Sequence, residues 1–170
     1  MTIENDLKNR LFAEFRTESD RGCAVLTVCL LEEFLVKVFA KVLPSGNAGA
    51  RTFMPRGRLS VGVSNAEVLG LISEPHTTNL GLILKIRNAF AHKLMDGLTF
   101  ESAEIRSHSM KLVLPNLDGV SGATRQRIES DSRERYMEVF GHEVANLERI
   151  AHIGSPFPIY KSLPAYSIEI

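Results

Sequence analysis

Between positions 19 and 43 almost every turn of the chain carries an apolar residue: Cys23, Val25, Leu26, Val28, Leu30, Leu31, Phe34, Leu35, Val38, Phe39, Val42 and Leu43. At 3.6 residues per turn these cover most of a helix's circumference, so the pattern predicts a helix over 20–43 at the centre of a bundle, capped by Ser19 or Asp20. Shorter amphipathic patterns flank it. Leu7, Leu11, Phe12 and Phe15 predict a first helix over 4–15. Val61, Val63, Ala66, Val68, Leu69, Leu71 and Ile72 predict another within 60–73, starting near Ser64 or Asn65. Pro75 suits the first turn of the next, which runs to about 94, with Ser73 or Glu74 near its cap and Asp96-Gly97 closing it.

Further on, Ser102 is placed to cap a helix with Ile105, Ser109 and Leu112 on one side, while 112–115 reads equally as a short extended piece. Residues 116–122 form a turn-rich linker. Positions 123–152 read as one long charged helix with the packing stripe Ile128, Tyr136, Val139, Phe140, Val144, Leu147, Ile150 and Ala151. Pro156, Pro158 and Pro164 make 154–170 an extended tail, which Phe157, Tyr160 and Tyr166 would pack along the bundle or onto a neighbouring subunit. The result is an all-α fold: a single-domain helical bundle of about six helices over 1–153, followed by that tail.

Length agrees with one domain, since 170 residues suffice for a single sizeable core. Lys and Arg number 20, as do Asp and Glu, so the overall charge argues against a broad non-specific grip on nucleic acid. Glu32, Glu33, Lys37 and Lys41 interrupt the longest apolar run, which excludes a membrane span there. The N-terminus lacks a basic start and an apolar run, so no secretory signal is expected; Cys23 and Cys29 read as buried thiols in a reducing cytoplasm.

Several chemistries find no motif. There is no glycine-rich phosphate loop, dinucleotide fingerprint or nucleophile elbow. The five histidines form no metal-binding pair, no cofactor is implied, and no helix-turn-helix is evident. Two polar features stand out instead. Within 80–94, the apolar positions Leu80, Ile83, Leu84, Ala91 and Leu94 fall within about 100° of Arg87, placing a guanidinium in the greasy stripe. Such a group calls for a carboxylate, and Glu32 and Asp20 are the candidates for an ion pair with Arg87. Asn88 and His92, at i and i+4, share a second, polar face with Gly81 and Lys85. The other feature is 44–58, a long loop with Arg51, Arg56 and Arg58 and no acid between Lys41 and Glu67, suited to a partner surface or a nucleic-acid backbone.

Residues 18–35, the block Leu69-Gly70-Leu71-Ile72-Ser73 and the block 86–92 together resemble the mannitol operon repressor family, over about 18–100. That resemblance implies an all-helical bacterial cytoplasmic protein in transcriptional regulation of sugar-alcohol uptake. A neutral charge favours action through a protein partner over direct contact with DNA, and a homodimer is the expected assembly. Arg87-Asn88-x-x-x-His92 is also similar to the motif of HEPN domains, whose dimers can bring Arg and His together to cleave RNA without metal. Carried over, Arg87 would stabilise phosphate charge, Asn88 would position, and His92 would orient the scissile group or shuttle a proton.

Overall fold

The computed structural model describes residues 13–93 and 95–153. Seven helices occur among them: α1 Asp20–Val42, α2 Gly46–Phe53, α3 Leu59–Val68, α4 His76–His92, α5 Ala103–Ser109, α6 Gly122–Ser130 and α7 Ser132–Ile153. No strand is found among the described residues. The predicted first helix and the C-terminal tail fall mostly or wholly outside them, although residues 13–15 are helical.

Ser19 starts α1 by accepting the amide proton of Gly22 on its Oγ, one of the donors a helix start leaves without an internal partner. From there α1 packs against α2, α3, α4 and α7 and so holds the centre, as its apolar circumference predicts. Leu31, Leu35, Val38 and Phe39 are completely enclosed. Burial of each such side chain contributes about 1.5–3 kcal/mol before entropy is counted. The circumference is not fully covered, however. Val25, Leu26 and Cys29 lie exposed on one strip, so the expectation of two buried thiols holds for Cys23 alone. Burial pushes the Cys23 thiol up to about 11, which keeps it protonated near neutrality.

Three boundaries differ from the expected ones, each because a contact distant in sequence or a local cap prevails. The loop expected over 44–58 contains α2, whose two glycines are outweighed by packing: Ala50 is enclosed and Phe53 lies 5.7 Å from Phe39 between ring centroids. Met54, just beyond the helix, is buried against Gly62 so closely that a Cβ there would sit 2.0 Å from its sulfur. Asn65, expected near the start of a helix, is inside α3 and donates from Nδ2 to the Phe53 carbonyl, closing the end of α2 (2.7 Å). The single helix expected over 123–152 is broken at Asp131, which leaves helical geometry and accepts the Glu134 amide on Oδ1 (2.8 Å) to cap α7.

Candidate functional site

The residues of α4 that the fold buries are Asn79, Leu80, Leu82, Ile83, Ile86, Ala89 and Phe90. At 100° per residue the centre of that face lies about 100° from the stripe expected around Leu80, Leu84 and Arg87. Leu84, Arg87 and Ala91 are therefore half-buried flank positions, and Asn79 moves to the interior. The reason is tertiary: α4 is packed by α1, α3, α5 and α7, and Ile86 and Phe90 serve these contacts better than Leu84 and Ala91.

At the N-terminal end of α4 this rotation assembles a polar network inside the bundle. Glu143 of α7 is 1% exposed, yet each of its carboxylate oxygens has a partner. His76 Nδ1 donates to Oε2 (2.8 Å) and Asn79 Nδ2 to Oε1 (2.9 Å). Asn79 in turn clamps the backbone of residue 113, accepting its N–H at 2.8 Å and donating to its carbonyl at 3.1 Å. A buried carboxylate without such donors would cost several kcal/mol. The hydrogen bond to Glu143 raises the His76 pKa above its ordinary 6.5; burial opposes this, the Glu143 charge adds to it and Arg149 opposes it. With Nδ1 committed to Glu143, Nε2 is the nitrogen left for other chemistry.

Neither His76, Asn79 nor Glu143 was among the expected site residues. One signal in the chain pointed to them. Glu143 sits between Phe140 and Leu147 in the very stripe that packs α7, a position where an acid must find donors.

The C-terminal end of α4 carries the expected trio, and the fold does not draw it together. Arg87 and Asn88 are half-buried and His92 is exposed, with no interaction joining Arg87 to His92 among the described residues. Nor does Arg87 form an ion pair among them. Its charge is felt by Tyr136, whose phenol burial pushes up and the guanidinium partly restores. Asp20, expected as its partner, binds Arg133 (Oδ1 to Nη1, 2.7 Å) and the Phe100 amide (2.9 Å). The second expected partner, Glu32, accepts the Gly57 amide at 3.1 Å. Asp20 is thus engaged by another base and Glu32 by a backbone amide, because helical phase, not chain proximity, decides what each meets. Around this end Lys93 pairs with Glu104 and its carbonyl accepts from Arg21, so α4 is tied to α5 and α1 where it stops.

Arg51, Arg56 and Arg58 are all exposed, on α2 and the turn leading to α3. That corner is firmly held: Glu32 grips Gly57, a residue at φ +70°, and Asn65 grips the end of α2. None of the three guanidinium groups has a carboxylate in ion-pair reach among the described residues, whereas Arg106, Arg125, Arg127 and Arg133 each have one. Among the described residues no group of His, Cys, Asp and Glu is arranged to hold a metal ion, and no helix is long and apolar enough to cross a membrane.

No family model matches the chain, and no curated protein matches it. Among solved structures it is similar to a chain of the MtlR-HPr complex from Escherichia coli, with a TM-score of 0.49 and 21% sequence identity over 88% of this chain and 96% of the other.

Proposed function

We propose that this chain is a non-enzymatic helical regulator of transcription that acts through a protein partner, docking an acidic surface of that partner on Arg51, Arg56 and Arg58. The observation that carries this is the contrast among arginines. Arg106, Arg125, Arg127 and Arg133 are satisfied within the chain, while three on one corner are exposed with no acid in ion-pair reach among the described residues. Exposed charges left unpaired on a fixed scaffold contribute little to folding and much to the speed and selectivity of encounter. A net charge of zero speaks for a local protein contact rather than a long nucleic-acid track. The resemblance of residues 18–100 to the mannitol operon repressor family supports the regulatory role.

The test compares wild type with the triple variant Arg51→Ala, Arg56→Ala, Arg58→Ala after cross-linking in the native host. Purified HPr from that host is the first defined probe, and an operator-length DNA duplex is the competitor. A protein that wild type retains and the variant loses, with affinity that weakens as salt rises, is the expected result. A tight, steeply salt-dependent complex with the duplex would replace the protein partner by DNA. An identical set of bound proteins for both forms would remove the corner from the account.

A further inference from the structure

Between the turn that joins α3 to α4 and the last two turns of α7 lies a cleft of about 220 Å³, lined by Ser73, His76, Asn146 and Arg149 over a floor of Leu71, Ile72 and Ile150. Its ionisable lining, His76 and Arg149, is basic. His76 offers Nε2, because Nδ1 is held by Glu143. Arg149 is exposed and donates through Nη2 to Asn146 Oδ1 at 2.9 Å, a bond that holds the guanidinium beside the opening and leaves its other donors without a partner among the described residues. Ser73 is exposed, and among the described residues its hydroxyl makes only a 3.5 Å contact to the Glu74 carbonyl.

Among the described residues no carboxylate lines the cleft. Glu143 stands behind the imidazole, enclosed, with both oxygens occupied, so it orients His76 and favours its protonated form without presenting itself to a ligand. Glu74, the nearest acid in sequence, accepts the Thr78 hydroxyl at 2.8 Å. His142 stacks on His76 with ring centroids 5.9 Å apart. His76 is also the first residue of the 17-residue α4, whose positive end adds to the field there.

We propose that this cleft binds a small oxyanion, a phosphate or carboxylate group, between His76 Nε2 and the Arg149 guanidinium. A protonated imidazole and a guanidinium are donors without acceptors, so they select an anion. The volume is below that which drug-sized ligands fill, so the bound part is a headgroup with little attached to it. This site is separate from the basic corner on α2, and its test does not depend on any partner protein.

The experiment follows the His76 ring resonances of the full chain by NMR as inorganic phosphate or sodium acetate is added, with sodium chloride at matched ionic strength as control. Saturable shifts with phosphate, acetate or both are expected, at a Kd of about 1 mM or tighter, and the identity of the binding salt distinguishes a phosphate from a carboxylate ligand. Arg149→Ala, a surface change that leaves the core untouched, is expected to weaken binding roughly tenfold or more. Affinity should also fall as pH rises through the raised His76 pKa, with Glu143, His142, Glu74 and Arg149 as the charged or titratable groups around that ring. His76→Gln reports on the imidazole directly, and Arg149→Ala keeps the question answerable if that variant fails to fold. No saturable response to either salt, or binding that Arg149→Ala leaves unchanged, overturns the proposal.

Discussion

At its first turn α4 delivers His76 and Asn79 to an enclosed carboxylate, and in its last turns the same helix leaves Arg87, Asn88 and His92 half-buried or exposed with no acid for Arg87 among the described residues. Both ends are rich in polar side chains, and only one is a network. What separates them is helical phase. Asn79 shares a face with Ile83, Ile86 and Phe90 and is carried into the core, where a polar atom left unpaired is costly. Arg87 sits on the flank of that face, where its long aliphatic stem can lie against apolar neighbours while the charged head reaches water.

The strongest way to break this comparison is to remove the acid. Glu143→Ala is expected to cost about 3 kcal/mol or more in urea unfolding, since it strands His76 and Asn79 and opens a void. A loss below about 1 kcal/mol would place the network on the same footing as the other end of the helix. Next comes Asp20→Ala, which takes the acid from Arg133 and the acceptor from the Phe100 amide at a site about a quarter exposed, while Arg133 keeps its bonds to the Phe15 and Glu18 carbonyls; about 1–2 kcal/mol is expected by the same measurement.

A pH profile sharpens the contrast without touching packing. His76 binds its proton more tightly in the folded chain than in the unfolded one, so its stabilising contribution is complete below 6.5, the ordinary histidine value, and is lost as pH rises through the raised folded value. Wild-type stability relative to Glu143→Gln should therefore decline across that window. A difference independent of pH would show that the imidazole is neutral throughout. The smallest effects belong to the far end. Arg87→Ala should cost under about 1 kcal/mol and His92→Ala should stay within about 0.5 kcal/mol, both by thermal melting. A loss of about 3 kcal/mol at Arg87 would reveal the buried ion pair that the sequence pattern suggested.

Residue spacing made much of the architecture legible. The central helix, its Ser19 cap, the Ser102 start of α5 and the all-helical class follow from local repeats and caps, which depend on neighbours a few positions apart, whereas at α4 Pro75 itself takes the cap position expected for Ser73 or Glu74. The site was read less well. The stripe drawn through Leu80, Leu84 and Arg87 is apolar enough to pack, yet so is the one through Ile83, Ile86 and Phe90, and the choice between them rests with α1, α3, α5 and α7. Cys29 illustrates the same limit on α1, where an apolar circumference does not say which strip stays open.

Amphipathic periodicity is a short-range property, so the chain alone settles that it forms helices and that α1 lies at the centre, packed by α2, α3, α4 and α7. Which acid meets which base is long-range: His76 and Glu143 are 67 positions apart, and Asp20 and Arg133 are 113 apart. A helical wheel ranks the residues that share a face. It does not say which helix arrives against that face, and the pairing of charges depends on that arrival.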